Sequence, residues 1–432
     1  MNSIAEKIKI DFTDDAITNA AGSIFLSTIS QQLGLPALLQ EQLRVKVRDR
    51  GATDAETMLA LIYSLAQGEG CLADVDRLSA DAPRQDLLGL EQVPDSRRLG
   101  EYLFKFDWRL VKDLDRICRS ISAVLAPEVM DHALQELGYI PIFTDGSGIE
   151  VEGRYFEGAA PGYNGEPQYW LHSIFIGKLW VSQRFWPGGV GVSRGWRPQL
   201  QETARMIGER GPVWARFDNA YYSGEVVEFC RERGWDYSIS VTNKGYKRPL
   251  KEILEAFGEE DWTAINDDGT EHAAFLYYQP AGWAEEQIYV VVRSQYRGSQ
   301  KLLWPRYIFI AVSRDDLPLA ELVKRHRGKQ GQENAFKGPL IDLDLHHPPC
   351  WKYNANRAFY LAGQLAQNLL IAVQFRLLPV QARLHSLRTV IRDLIRIPGK
   401  LVRHAGVRTL RFAKTAFRLD WIVHAADRLA PA

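Results

Sequence analysis

The chain has 432 residues, 46% of them hydrophobic, enough to bury a large core and to divide into two to four domains. Lys plus Arg number 53 and Asp plus Glu number 53, so no global basic signature announces a polyanionic partner, and charge has to be read segment by segment. Cys71, Cys118, Cys230 and Cys350 are scattered with no C-x-x-C pair, which fits free thiols in a reducing compartment better than a disulfide frame. No basic-then-apolar leader opens the chain, and no uncharged run approaches the roughly 20 residues that span a bilayer. The expectation is a soluble cytoplasmic protein.

Residues 1–20 are polar, with at most a loose strand near Ile8–Phe12. From Ala21 to about Asp131 the pattern is helical. Ser23–Gln32 and Ala37–Leu43 flank a Gly34-Leu-Pro36 break. Thr53 and Glu56 have the spacing of a capping box for a helix over Asp54–Gln67, which Gly68-Glu-Gly70 ends. Leu72–Leu78, Ser96–Phe106 and Leu110–Leu125 read as further helices. This helical front is either packing for the rest of the chain or a reader of DNA, and no sharp helix-turn-helix signature decides between them.

The character changes at residues 138–242. Tyr139–Phe143 is apolar and β-rich. Gln168–Ile176 and Leu179–Trp186 form a hairpin around Gly177-Lys178. Pro198–Glu209 reads as a helix, Val213–Phe217 as a buried strand, Gly224–Arg233 as a helix closed by Gly234, and Asp236–Val241 as a strand. Strand, hairpin, helix, strand, helix, strand is the order of a mixed sheet with helices on its faces, as in a ribonuclease-H-like core. Residues 243–318 interrupt it with β-formers and aromatics at Trp262–Ile265, Ala273–Gln279, Gln287–Val292 and Arg306–Ser313, the mark of an inserted antiparallel module. Helical pattern returns over Leu317–Phe336 and, strongly apolar, over Ala355–Phe375. From Arg376 onward twelve Lys or Arg face three acids, either a phosphate-contacting surface or a solvated helix face.

Two strand-like runs end in a lone acid: Tyr139–Thr144 runs into Asp145, and Val213–Phe217 into Asp218. A third acid, Glu333, lies in His326-Arg-Gly-Lys-Gln-Gly-Gln-Glu333-Asn-Ala-Phe-Lys337, whose Gly and Gln content is high for a packed helix. An acid at a strand end is rigidly held and open to solvent. Three such carboxylates, one of them bridging, can hold two Mg²⁺ ions about 3.5–4 Å apart, the arrangement that activates water and neutralises a reacting phosphodiester. Each acid also has an ordinary reading. Asp145-Gly146 is a turn dipeptide, Asp218 could cap a helix, and Glu333 could be one solvated charge among several.

The pieces Phe143-Thr-Asp145-Gly-Ser147 with Gly153, Arg216-Phe-Asp218-Asn-Ala-Tyr-Tyr222, and Arg327-Gly-Lys-Gln-Gly-Gln-Glu333-Asn334 with Lys337 resemble the DDE transposases of bacterial insertion sequences. The likeness is strongest to the insertion-sequence group numbered 1380, with its group 1 transposase DDE domain, and extends over nearly the whole chain. The resemblance implies a metal-dependent endonuclease and strand transferase with Asp145, Asp218 and Glu333 as catalytic metal ligands. It implies two Mg²⁺ ions, with Mn²⁺ as a substitute. The partners it implies are double-stranded DNA, both element terminal inverted repeats and target, and a second copy in a homodimer on that DNA. Water would attack the phosphodiester at an element end, and the freed 3′-hydroxyl would then attack target DNA in line. Related transposases carry Tyr, Arg and Glu at spacings of three and four on the last helix, then Lys seven residues on. Here those positions hold His326, Lys329, Glu333 and Leu340, with Arg327 and Lys337 as neighbouring cations. Lys lacks the bidentate fork of Arg and is not its equal. His326, Arg327, Lys329 and Lys337 are the expected DNA contacts, and Arg194 and Arg197, after Gly188-Gly-Val-Gly191, could add phosphate contacts. Some relatives stack a flipped base on the inserted module, for which Trp262, Trp283 and Trp304 are candidates.

The expected architecture is therefore α/β. A helical DNA-binding front (1–135) precedes a ribonuclease-H-like mixed-sheet core (136–242), an inserted antiparallel β module (243–318), the rest of the core with Glu333 (319–375), and a basic helical tail (376–432). The rival functions are a non-catalytic DNA-binding protein derived from a transposase and a carboxylate-pair glycoside hydrolase, since Trp and Tyr also line sugar sites. His346-His347-Pro-Pro-Cys350 lacks the second ligand pair of a zinc site, and Ser147 lacks a nucleophile elbow.

Overall fold

A computed structural model describes residues 11–48, 50–153, 155–162, 164–191, 193–241, 244–297, 300–328 and 338–429. The expectations that fall on Ile8–Ile10, Lys329, Glu333 and Lys337 lie outside the described residues.

The front begins with a two-residue strand, β1 (Ile17–Thr18), followed by α1 (Ser23–Gln32), α2 (Leu35–Gln42), α3 (Asp54–Leu65), α4 (Val75–Ala80), α5 (Ala82–Leu88), α6 (Ser96–Leu103) and α7 (Trp108–Leu137). The capping box at α3 is present in both directions. The Glu56 N–H donates to Thr53 Oγ1 at 3.1 Å and the Thr53 N–H donates to the Glu56 carboxylate at 2.8 Å, satisfying two donors a helix start leaves open. Helix α7 runs twelve residues past the expected end at Leu125, through Pro127, because Val129, Met130 and Ala133 continue its buried stripe.

A ten-stranded mixed sheet comes next, built from β2 (Ile140–Glu150), β3 (Ala160–Pro161), β4 (Pro167–Ile176), β5 (Leu179–Pro187), β6 (Val213–Phe217), β7 (Asp236–Val241), β8 (Thr263–Ala264), β9 (Glu271–Tyr278), β10 (Gln287–Arg297) and β11 (Gln300–Val312). Its path is β3-β4-β2-β6-β7-β11-β10-β9-β8, and β5 shares the outer edge of β4 with β3. Strand β2 pairs antiparallel with β4 and parallel with β6, and β6 pairs parallel with β7. The strands after β7 are antiparallel and continue the same sheet, because β11 hydrogen-bonds directly onto β7. Helices α8 (Trp196–Ile207), α9 (Gly224–Arg231), α10 (Lys244–Leu254), α11 (Leu319–Arg327) and α12 (Tyr353–Arg376) complete this part.

The sheet has a core on each face. Tyr289, Val291, Phe309 and Ala311 belong to the main core, which also holds α7 and α12. Their strand neighbours Val290, Val292, Ile310 and Val312 pack with Trp214 against Leu322 and Val323 of α11, as the two-residue repeat of a strand requires. Helix α12 is buried almost all round and still carries Gln364, Gln367 and Asn368. These side chains bind the backbone of the β5 hairpin: Asn368 accepts the Trp180 N–H at 3.1 Å, Gln364 donates to the Trp180 carbonyl at 2.8 Å, and Gln367 donates to the Lys178 carbonyl at 3.1 Å. Such pairing satisfies backbone groups that a buried strand edge would leave open.

The tail corrects the expectation of an all-helical segment. Residues 399–412 form a hairpin of β12 (Gly399–His404) and β13 (Val407–Phe412), with β1 paired on β12; α13 (Leu419–Leu429) comes after it. The turn is Ala405-Gly406, both at positive φ (48° and 81°), as a two-residue hairpin turn of primed type needs. Apolar Leu401-Val402 and the alternating Leu410-Arg411-Phe412, on either side of the Ala405-Gly406 turn, are the strand signal that the dense positive charge obscured. Among the described residues six of the twelve tail cations have an acidic partner: Arg376 with Glu128, Arg388 with Asp342, Arg392 with Asp393, Lys400 with Asp15, and both Arg403 and Arg408 with Asp86. Much of the tail's positive charge thus anchors it to the rest of the chain, mainly the helical front.

Candidate active site

Asp145 and Asp218 come together through strand register. In the parallel pair β2/β6, Thr144 lies opposite Phe217, so Asp145 and Asp218 are neighbours one residue further on. Adjacent strands are about 4.8 Å apart. In the pair β6/β7, Phe217 lies opposite Ile239, which continues the row to Ser240. Asp145, Asp218 and Ser240 therefore form one line across three parallel strands. Ala215 and Phe217 point into the main core, while Trp214 joins the core under α11. Asp218 is still extended (φ −79°, ψ 172°) and continues the alternation on the α11 side. The chain then enters a turn, Asn219–Tyr221, in which the Tyr221 N–H donates to the Asp218 carbonyl at 3.1 Å.

Asp145 Oδ1 accepts the N–H of Gly146 at 2.7 Å. Glycine is required there by a close approach: a Cβ on residue 146 would fall 2.4 Å from Nε1 of Trp170. Helix α11 is seated beside the row. His326 is buried, and its Nε2 lies 3.0 Å from Ser240 Oγ. Arg325 lies over the rings of Tyr139 (4.5 Å) and Trp214 (5.0 Å) and donates to Glu321 at 2.8 Å. The Asp218 turn is tied to the later strands as well. The Tyr222 and Tyr289 hydroxyls are hydrogen-bonded to one another, and Trp283 packs on the Tyr222 ring at 5.2 Å.

The other expected site residues fall in varied places. Arg327 is held by the Glu271 carboxylate, with Nη2 2.7 Å from Oε1. Exposed Arg194 lies over Trp186 at 5.3 Å. Arg197, also exposed, lies over Trp196 at 5.3 Å and 4.0 Å from Glu225. Trp262 is partly buried beneath Arg293, 4.4 Å from its ring, and beside Phe257 and Tyr307. Trp283 is partly buried, whereas Trp304 is 83% exposed beside Leu303, itself 97% exposed. Cys350 is buried, and its backbone N–H and carbonyl are both bound by the Asn356 amide.

Tyr221, Ser240 and His172 were not singled out from sequence, although Tyr221 lies in the Asp218 motif. Tyr221 is buried, with its ring 5.7 Å from Phe217 and 5.8 Å from His172. Burial, and then the charges of Asp145 and Asp218, hold its hydroxyl well above the usual tyrosine range. His172 lies opposite Gly146 in the β2/β4 register, and burial lowers its pKa to about 4.

Among the described residues no group of three or more His, Cys, Asp or Glu side chains is gathered as a metal site. The donor set that is present, two adjacent carboxylates facing the α11 side, suits a hard divalent cation. Fold and site define a mixed α/β protein with an acidic pair on two neighbouring parallel strands: Asp218 follows the end of β6, whereas Asp145, expected at a strand end, lies in the middle of β2, whose antiparallel pairing with β4 carries it on to Glu150. The chain belongs to the transposase DDE domain group 1 family, whose model matches residues 2–432. No curated protein matches it. Among solved structures it is similar to piggyBac transposase in a synaptic complex with hairpin DNA. That likeness covers 87% of this chain and 78% of the other, at 9% identity and a TM-score of 0.46. No helix among the described residues is long and apolar enough to cross a membrane.

Proposed function

We propose that the protein is a DNA transposase that cuts the ends of its own element and joins them to target DNA, acting as a dimer on element ends. The observation that carries this reading is the in-register pair Asp145 and Asp218 in a chain of a DDE transposase family. The sheet order β5-β4-β2-β6-β7, with its first three strands antiparallel and its last three parallel, supports a ribonuclease-H-like core. The resemblance to the insertion-sequence group numbered 1380 supports an insertion-sequence origin.

Asp145 and Asp218 would hold divalent ions, Mg²⁺ or Mn²⁺, with Glu333 as the third ligand. The ions, when bound, lower the pKa of water and neutralise charge on the phosphodiester. The chain's own part is positional. Parallel pairing sets the two acids side by side on neighbouring strands, so their carboxylates start within reach of a shared ion. Seating α11 on Ser240 fixes the direction from which the later segment leaves the sheet. Arg194, Arg197 and the tail cations outside the six ion-paired ones would contact phosphates, and exposed Trp304 is the best placed of the three tryptophans to stack on a base. The burial of His326 and its contact with Ser240 support a structural role for it rather than the DNA contact expected of it.

The test is cleavage of a labelled duplex carrying the element's own end, with Mg²⁺ and with chelator, for the native chain and for Asp145→Ala, Asp218→Ala and Glu333→Ala. The expected result is metal-dependent cutting that each substitution abolishes while DNA binding survives. A variant that keeps the native rate removes its acid from the site. A native chain that binds the end and never cuts it is a DNA-binding protein derived from a transposase.

A further inference from the structure

A cavity of about 350 Å³ opens beside β5, between α7, α8 and the start of α12. Lys112 and Arg119 of α7, Arg184 of β5 and Arg357 of α12 line it, against two acids, Asp115 of α7 and Glu202 of α8, so the lining carries an excess of two positive charges. Both acids are already engaged. Asp115 lies 3.4 Å from Arg119 and from Arg184, and Glu202 lies 3.3 Å from each, in a closed square of ion pairs. Arg357 has no place in that square. It is partly buried, it donates to Asn354 at 3.2 Å, and among the described residues no carboxylate is ion-paired with it. Burial lowers its guanidinium pKa, with Arg184 adding to the effect and Tyr353 and Asp115 opposing it. A charge drawn out of water is costly unless an opposite charge pairs with it. Gln183 gives a second, independent sign. It lines the same cavity and is 3% exposed, yet neither its amide nitrogen nor its amide oxygen has a hydrogen-bond partner among the described residues. A buried amide in that state is uncommon and calls for an explanation such as an ion. Gln183 lies opposite Ser173, and Ser173 opposite Asp145, so Gln183 stands two strands, roughly 10 Å, from Asp145 in the same row across the sheet.

We propose that this cavity is a phosphate site: the Arg357 guanidinium takes two phosphate oxygens in its fork, the Gln183 amide nitrogen donates to the same group, and exposed Lys112 adds charge. A phosphate carries about one to two negative charges at neutral pH, which balances the excess in the lining. An arginine fork matches its oxygens in pairs, which a lysine cannot do. The phosphate is either that of a DNA strand or that of a free phosphate or nucleotide; the recognition chemistry is the same. The inference stands apart from the acidic pair, since it needs neither a metal ion nor cleavage.

The experiment follows the Tm of the full chain as inorganic phosphate is added at constant ionic strength, without DNA or metal. Phosphate also stabilises proteins in general by exclusion from their surfaces, so the readout is the saturable part of the rise. The native chain is expected to show it, and Arg357→Gln to need about tenfold more phosphate, the loss of one hydrogen-bonded contact to a charge. Gln183→Met should shift the titration the same way by less, and Arg357→Lys should fall between native and Arg357→Gln. No saturable rise in the native chain overturns the proposal. So does a native response in both Arg357→Gln and Gln183→Met, whatever their Tm without phosphate, which makes both residues merely structural. If Arg357→Gln does not fold, Gln183→Met decides by the same criterion. Binding of the element-end duplex at low salt then identifies the source. With a DNA phosphate in the site, inorganic phosphate competes with the duplex and Arg357→Gln weakens its binding. With a free phosphate or nucleotide, duplex binding is native in Arg357→Gln while the phosphate response is lost. Both results uphold the site. A native chain that binds no element end removes the transposase reading, and the phosphate titration still judges this one.

Discussion

Ser240 Oγ and His326 Nε2 lie 3.0 Å apart, which joins β7 to α11 one strand away from Asp218. Ser240 is in line with Asp145 and Asp218, so this bond ties the helix to the acidic row itself. His326→Ala and Ser240→Ala are each expected to cost about 1–3 kcal/mol, the range for leaving a buried polar partner unpaired. Urea unfolding measures the loss. Binding of the element end should hold near the native value, because a buried imidazole contacts no phosphate. A tenfold loss of DNA affinity without a change in stability would return His326 to the DNA surface.

Stability should fall as the medium is acidified toward pH 4, through His172. Burial lowers its folded pKa from 6.5 to about 4, so the unfolded chain binds a proton that the folded chain refuses between those values. The contribution is complete above pH 6.5 and is lost as pH falls through that window, by at most about 3 kcal/mol. Urea midpoints at pH 7 and pH 5 measure it. His172→Asn is expected to flatten the difference between them, and an unchanged pH slope in that variant would exclude His172 as its source.

The three tryptophans should separate. Trp304 is exposed, so Trp304→Ala should change stability by less than about 0.5 kcal/mol. If Trp304 stacks on a base, the same change should weaken binding of a distorted element end by about 1–3 kcal/mol. Trp262 has Arg293 over its ring and Tyr307 beside it, and its loss should appear mainly as a lower Tm. A 2-aminopurine reporter at the element terminus distinguishes them, since only the stacking residue should alter its fluorescence. A signal unchanged in Trp304→Ala would remove that residue from base recognition.

The helical front holds a buried ion pair, Arg84 with Glu69: Nη2 lies 2.6 Å from one carboxylate oxygen and Nη1 3.2 Å from the other, and the Ser64 hydroxyl donates to the same acid at 3.1 Å. Both side chains are nearly inaccessible. Glu69→Ala would leave a guanidinium buried without its acid, at a cost of about 3–5 kcal/mol. Thermal unfolding reads this directly. A Tm within a degree or two of native would mean that the front relaxes enough to hydrate Arg84.

Some elements were legible in the residues alone. The start of α3 comes from Thr53 and Glu56, whose spacing of three is itself the capping interaction. The ends of α1 and the hairpin around Gly177 come from hydrophobic period and turn residues. The tail hairpin did not show itself, since its signal is split by cations that read as a solvated helix until Asp15 pairs with Lys400 and Asp86 with Arg403 and Arg408.

The sequence by itself determined which residues are helical or extended over most of the chain, where α3 is capped, and that Asp145 and Asp218 each end an apolar run. Those are local matters, decided within three or four residues by backbone preference and side-chain period. Only the tertiary structure decided that the two acids are neighbours, that Ser240 completes their row, that Tyr221 is buried against Phe217 and His172, and that His326 faces inward. Strand register is a long-range choice, made by hydrogen bonds between segments some 70 residues apart and by which alternate side chains each core accepts. A one-residue slip in β6 would leave every local signal unchanged and turn Asp218 to the opposite face of the sheet.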